Sequence, residues 1–418
     1  MTDRPLAGRL TAATEPLLTS FARRTLLAGG RRLAIGSLDV TLPDGTTQRF
    51  GTPGATPHAA IEVHDVTAFR RLLLGGATGA GEAYQDGMWS SPDLVRLLEL
   101  AALNRRALEL SSGWMSAPAR LRRGVGHRLR RNTRKGSRKN IVAHYDLGND
   151  FYRLFLDETM TYSSAVFATP DQPLADAQRN KYRLMADGAG LEPGMRVLEI
   201  GSGWGGFAMY AAGERGCDVT SITVSDAQHA LANERIRDAG LADRARVELR
   251  DYRDLTGTWD AIVSIEMFEA VGPEYYRTFF DACDRALTPD GRLSLQTISF
   301  HESDYRSQLR GVNWIQQYIF PGGVLPSLAA IEEATSDTDL VISGVTDIGP
   351  HYVATLRAWR TRFLAQLDAV RAMGFDERFI RTWEYYLALS EAGFATAMTQ
   401  DLQLVFRKRR GGRVPNAG

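Results

Sequence analysis

The sequence predicts an α/β protein, a doubly wound Rossmann-like sheet with a small α+β domain ahead of it. Three observations predict it. From residue 140 onward, short apolar runs of strand type alternate with helical stretches, the pattern of parallel strands joined by crossover helices. A glycine-rich loop follows one of these runs at 201–206, where such folds hold a ligand. Residues 1–110 lack that alternation and read as a hairpin followed by a helix.

With 418 residues, 44% hydrophobic and 24% charged, the chain has a globular balance and can bury a sizeable core in two or three domains. The net charge of +1 singles out no partner. Only Cys217 and Cys283 occur, which argues against a disulfide-built secreted protein and fits a reducing cytosol. The first residues lack the continuous apolar core of a signal peptide. No stretch approaches the roughly 18 apolar residues of a membrane span, so a membrane would be met from its surface.

In the first domain, residues 1–110, Leu33, Ile35, Leu38, Val40 and Leu42 are spaced as a strand. Pro43, Asp44 and Gly45 supply a turn, and 46–50 returns as the hairpin partner. Asp65 is the expected N-cap of a helix through Phe69 and Leu72 that Gly75 and Gly76 stop. Residues 111–139 form a basic linker, with ten Lys or Arg and no acid between Arg120 and Lys139. The run reads equally as a solvated linker and as a patch for anionic lipid headgroups, where each cation adds about 1 kcal/mol. No nucleic-acid module accompanies it, so no nucleic-acid partner is expected. Residues 140–418 form the α/β domain, with strands at 196–200, 219–224, 261–265 and 292–298 and a closing strand at 402–406. Leu356, Trp359, Phe363, Leu367 and Val370 follow helical spacing as a core stripe.

The loop Gly201-Ser202-Gly203-Trp204-Gly205-Gly206 carries the chemistry. Its glycines let the backbone turn sharply after a strand and approach a ligand. On its own this pattern fits a dinucleotide as well as S-adenosylmethionine. Three features favour the latter. Glu199 lies two residues before the first glycine, where S-adenosylmethionine methyltransferases carry an acid. Trp204 crowds the place a pyrophosphate would occupy. Residues 259–264 and 287–291 resemble the fourth strand of those enzymes and the turn before their fifth. The second strand, moreover, ends Thr223-Val224-Ser225, without the acid that holds a nicotinamide ribose; hydroxyls and Gln228 would do that work. No cluster with metal-ligand spacing occurs among the seven histidines and two cysteines.

Longer motifs then become recognisable. Residues 139–152, with His144, Tyr145 and Asp146, residues 160–167, 251–254, 266–272 and 318–323, in this order, resemble the cyclopropane-fatty-acyl-phospholipid synthase family. Residues 81–87 resemble the extra domain of its bacterial phospholipid-acting members. The resemblance spans about residues 80–408. It implies a class I methyltransferase fold and S-adenosylmethionine as cofactor. It also implies attack of a cis double bond on the sulfonium methyl, giving a carbocation that a base deprotonates to a cyclopropane, a methylene or another methylated chain. In the family that base is a bound bicarbonate held by a Cys, a Glu, a His, a Tyr and a backbone group. Here Glu269 and Tyr352 match the Glu and the Tyr, Ile298 the backbone contact, and Ser164 and Gln296 stand at the Cys and His positions. Ser and Gln still donate hydrogen bonds, but Gln cannot become a cation, which weakens the case for bicarbonate. Glu266, one turn before Glu269, is an extra acid, a candidate base or anchor.

For the cofactor, the resemblance points to Tyr162, Ser163, Glu199, Gly201, Gly203, Trp204, Gly205, Thr223, Gln228, Asp251 and Tyr252. Trp314, Tyr318 and Phe320 are candidates to face the acyl chain; His144 is expected to be structural. The expected partner is an unsaturated phospholipid at an anionic membrane surface, met by a cytoplasmic protein peripheral on the inner face. A separate reductase would complete a methylene product, and a homo-oligomer is left open. Methyl transfer to a small amine and non-catalytic lipid or cofactor binding are the rival readings.

Overall fold

The computed structural model describes residues 14–105, 147–309 and 311–409. The basic run 120–139, His144 and the motif up to residue 146 lie outside the described residues. Two compact units emerge. One holds Met1–Gly124 with Phe375–Ala392, the other Val125–Gly374 with Gly393–Gly418.

In the first unit, helix α1 (Thr14–Gly30) precedes β1 (Ser37–Thr41) and β2 (Thr47–Gly51). They pair antiparallel with Val40 opposite Gln48. Asp44 Oδ1 accepts from Thr46 N at 2.9 Å and closes the expected turn. Leu33 and Ile35 fall before the strand, where Asn104 Oδ1 accepts from Ile35 N instead. β3 (His58–Val63), parallel to β1, was not legible in the sequence. Asp65 Oδ1 accepts from Thr67 N at 2.8 Å and starts α2 (Thr67–Gln85). As expected, the first helical segment ends at Gly75 and Gly76, and a second follows at once within α2. Gly76 takes a non-helical φ of 59° and the helix resumes, because the chain beyond it buries Ala83 and Tyr84. β4 (Trp89–Ser90) and α3 (Leu94–Leu103), capped by Asp93, follow. Phe375–Ala392 packs here: Tyr84 donates to Glu384 Oε2 at 2.9 Å and Arg381 lies 4.2 Å over the Tyr84 ring. This stretch falls inside the single 140–418 block expected from sequence.

The second unit contains α4 (Asn149–Arg153), α5 (Leu174–Ala189), β5 (Arg196–Ile200), α6 (Gly206–Gly213), β6 (Asp218–Thr223), α7 (Asp226–Asp238), β7 (Ala245–Leu249) and β8 (Trp259–Ile265). Then come α8 (Tyr276–Ala286), β9 (Leu287–Phe300), α9 (Leu328–Thr335), β10 (Leu340–Asp347), α10 (Gly349–Ala365) and, after α11 (Glu377–Ala395), most of which belongs to the first unit, β11 (Thr399–Lys408). The seven-stranded order is β10-β11-β9-β8-β5-β6-β7. β9, β8, β5, β6 and β7 run parallel, and β11 is antiparallel to both neighbours. The turn expected at 287–291 is absorbed into β9, where the register against β8 shifts. Phe268, Phe279, Phe280 and Phe406 fill one face of the sheet; Met185, Phe207 and Ala208 pack on the other. Leu356, Trp359, Phe363 and Val370 are buried as the stripe predicts, whereas Leu367 is half-buried and opens a separate short helix, Leu367–Ala372. The chain reverses its winding between β5 and β8, and the crevice beyond the carboxyl ends of such strands is where open α/β sheets bind ligands.

Candidate active site

A cleft lies at that position. β5 delivers Glu199, 3% exposed, to its floor. Gly201, Gly203 and Gly205 then adopt φ of 97°, 48° and 85°. Gly201 is the position that requires glycine twice over, since a Cβ there would stand 2.8 Å from Met267 Cβ. The amides of Gly201 and Ser202 are both spent on Ile222 O at 3.0 Å, which pins the loop to β6. Trp204 is buried, and its Nε1 donates to Asn149 Oδ1 at 2.8 Å. Its ring lies 4.9 Å from Tyr152, which leads to Tyr162 at 5.4 Å and Trp359 at 5.2 Å.

The polar contacts expected for the cofactor gather around this cleft. Tyr162, Ser163, Glu199, Gly201, Gly203 and Trp204 border it from one side. Thr223, Gln228, Asp251 and Tyr252 border it from the other. Gly205 is the N-cap of α6, just behind the lining. Thr223 Oγ1 donates to Gln228 Oε1 at 3.0 Å. Asp251 is held by Arg253 through Nε at 2.8 Å and Nη2 at 2.6 Å. Burial pushes Glu199 up to about 8, against one hydrogen bond from Ser221 Oγ at 2.5 Å. A buried acid with one neutral donor is poised for a cation. Acids, hydroxyls and an aromatic around a glycine cradle suit S-adenosylmethionine, whose ends are an ammonium and carboxylate, a ribose and an adenine.

Beside the cleft, the catalytic group assembles differently from expectation. Glu266 follows β8 in a left-handed conformation, φ 47°, which a non-glycine residue adopts at a cost. It is held there by its own N–H, which donates to Gln296 O at 2.8 Å. Its carboxylate collects the donors. Ser164 N reaches Oε1 at 2.7 Å, Gln296 Nε2 reaches Oε1 at 2.8 Å, and Tyr352 Oη reaches Oε2 at 2.7 Å. The Ser164 hydroxyl is not among them, since it donates to Ala165 O; the backbone N–H serves instead. Glu269 takes Thr297 Oγ1 at 2.9 Å and Ile298 N on Oε1, and its buried Oε2 has no partner among the described residues. Burial first, then the neighbouring Glu266, pushes Glu269 up to about 8.

Bicarbonate does not fit this arrangement. The Ser164, Gln296 and Tyr352 positions assigned to holding it already donate to the carboxylate of Glu266, and a second anion there would face that carboxylate. Trp314, Tyr318 and Phe320 do not border the cofactor cleft. Trp314 is buried and its ring lies 5.4 Å from Tyr318.

Two residues went unseen in the sequence. Lys181, fully buried on α5, donates to Ser163 Oγ at 2.6 Å, and burial brings it down to about 8. A signal existed: Lys181 lies four residues from both Ala177 and Met185, on the buried stripe of α5. Asp401, fully buried on β11, accepts from Gln296 Nε2 at 3.1 Å. Nothing in its local sequence marks it.

The comparisons with known proteins agree with this geometry. Residues 132–404 match the family model for mycolic acid cyclopropane synthetase. A tuberculostearic acid methyltransferase, UfaA1, of Mycobacterium tuberculosis is 40% identical over 398 residues, 93% of this chain and 90% of that protein. A cyclopropane-fatty-acyl-phospholipid synthase of Escherichia coli is 37% identical over 386 residues, 88% of this chain and 96% of that one. The mycolic acid cyclopropane synthase CmaA1, solved in complex with SAH and CTAB, superposes with a TM-score of 0.61 at 32% identity, covering 65% of this chain and 98% of its own. The chain therefore belongs to the cyclopropane synthase family of S-adenosylmethionine-dependent methyltransferases, enzymes that modify lipids.

Proposed function

We propose that the protein transfers the methyl carbon of S-adenosylmethionine to the cis double bond of an unsaturated phospholipid acyl chain, and that Glu266 is the base. The observation that carries this is the convergence of Ser164 N, Gln296 Nε2 and Tyr352 Oη on the Glu266 carboxylate. Bound S-adenosylmethionine supplies an electrophilic methyl carbon. The chain's residues do the rest. Gly201 and its neighbours would hold the cofactor in the cleft that Glu266 also borders. Trp204, Tyr152 and Trp359 keep water from the cationic lipid. Glu266 takes one proton: a C–H bond breaks, its electron pair stays on carbon, and an O–H bond forms. A base built into the chain fixes which proton leaves.

The product we favour is a methylene-bearing chain, reduced to a methyl branch by a separate reductase. The relative matching 93% of this chain, named a tuberculostearic acid methyltransferase, supports it. A cyclopropane is the second reading, favoured by the Escherichia coli relative. Incubation with the methyl donor and oleoyl phospholipid vesicles, followed by mass spectrometry of the fatty acids, tests both. A gain of one CH2 is expected. A product that takes up hydrogen over a catalyst is the methylene chain, whereas a ring resists. No gain on any unsaturated lipid contradicts the proposal.

The lipid would be reached from an anionic membrane surface on the cytoplasmic side. Among the described residues no helix is long and apolar enough to cross a membrane. Leu17, Leu18 and Phe21 are exposed on α1 with Arg24 exposed beside them, a combination suited to the headgroup boundary. Replacing the three apolar residues with Ser should release the protein from vesicles of anionic phospholipid in a sedimentation assay; unchanged binding contradicts this.

A further inference from the structure

Behind Glu266 stands a second carboxyl that the reaction itself does not need. Asp401 is fully buried on β11, the antiparallel strand inserted beside β9. The two acids share one amide, since Gln296 Nε2 donates to Glu266 Oε1 at 2.8 Å and to Asp401 Oδ2 at 3.1 Å. Gln403 Nε2, at 3.1 Å from Gln296 Oε1, fixes that amide's orientation. Asp401 Oδ1 is buried and has no partner among the described residues. The cation of the cluster, Lys181, gives its hydrogen bond to Ser163.

Asp401, fully buried, and Glu266, half-buried, share one amide donor, and two carboxyls so close disfavour ionising together. One proton arrangement satisfies the contacts. Glu266 accepts three hydrogen bonds and suits the charged form, whereas Asp401 accepts one and has an idle oxygen, which a proton would turn into a donor. We propose that Asp401 is a positioning residue held as a neutral carboxylic acid, donating a hydrogen bond to the carboxylate of Glu266 and so keeping that base charged and aimed. This rests on the reading of Glu266 as the base.

The groups facing Asp401 are acids but for one. Glu266 follows β8, Glu269 lies in the turn beyond it, and Lys181 comes from α5. Asp347, at the end of β10, accepts from the Asp401 backbone N–H at 3.3 Å. Three of these four groups are acids, and burial with Glu266 and Glu269 drives Asp401 well above the usual carboxylate range.

Two measurements test this. In the first, the pH dependence of turnover is compared for the wild type, Asp401→Ala and Asp401→Asn. Loss of the donor in the alanine variant lowers turnover about tenfold or more, within the range of a group that supports a general base, and moves the acid limb about one unit to higher pH. Asparagine, which keeps an N–H donor, restores both. If Asp401 were ionised, both variants would remove a negative charge and move the limb to lower pH, and that result overturns the proposal. The second is independent of turnover. The infrared carbonyl band of a buried protonated carboxylic acid is expected in the wild type and absent in Asp401→Asn, and spectra identical in this region overturn it. The isosteric asparagine variant carries this reading even if the alanine variant fails to fold. A protein that shows the band but modifies no lipid would sink the function proposed above while leaving the acid pair in place.

Discussion

Glu266 combines strain and convergence: a left-handed backbone at φ 47° and three donors on one carboxylate. Replacing it with Gln keeps the shape and removes the base. Turnover should fall about 100- to 10,000-fold while cofactor affinity, measured by calorimetry, stays within a few-fold. Glu199 makes a second prediction. Burial holds it up at about 8, so at pH 7 it is mostly protonated in the free protein. A bound ammonium lowers it, so cofactor binding should release a proton, seen as a dependence of binding heat on buffer ionisation; binding should tighten from pH 6 to 8. Glu199 was legible because its place is fixed by two local facts, the end of a strand and the start of a glycine loop. Lys181 and Asp401 were not. Each reaches the site only when α5 and β11 pack against β8 and β9, and charged residues otherwise read as surface.

At the scale of elements, the glycine turn and the aromatic row each hold one wall of the cleft. Gly201→Ala would place a Cβ 2.8 Å from Met267 Cβ at φ 97°. Cofactor binding should weaken at least tenfold, and stability should fall by about 1–3 kcal/mol. Trp359, fully buried between Tyr162 and Tyr352, should cost about 3–5 kcal/mol on replacement by Ala, read from the shift in urea midpoint. The central strands β5, β6, β8 and β9 were legible as short runs rich in apolar and β-branched residues. The two that escaped, β7 and β10, are the edges of the sheet. Edge strands carry polar residues because one side is unpaired, and the burial of β10 accordingly fades toward Asp347. The break expected at Gly75 and Gly76 is present at Gly76; what the local signal did not show is that burial of Ala83 and Tyr84 restarts the helix beyond it.

Over the whole molecule, the buried acids make stability depend on pH in an unusual direction. Glu199 and Glu269 are held up at about 8 and Asp401 well above its ordinary range. Once unfolded, these groups ionise at about 4–4.5. Between about pH 5 and 8 the folded chain therefore binds more protons than the unfolded one, and stability falls as pH rises. Lys181, brought down to about 8 from 10.5, works in the opposite sense only above that window. The urea midpoint of the free protein should decrease from pH 5.5 to 8. The most direct test of a base carried by the chain is the rate of CH2 addition to oleoyl phospholipid in bicarbonate-free buffer, measured for the wild type and for Glu266→Gly with and without added bicarbonate or formate. The glycine suits φ 47° and leaves a space the size of a carboxylate. The expected result is full wild-type activity without bicarbonate, and a glycine variant that is inactive until a small carboxylate anion is supplied. A wild type that stops when bicarbonate is withdrawn, or a glycine variant that works unaided, would contradict it.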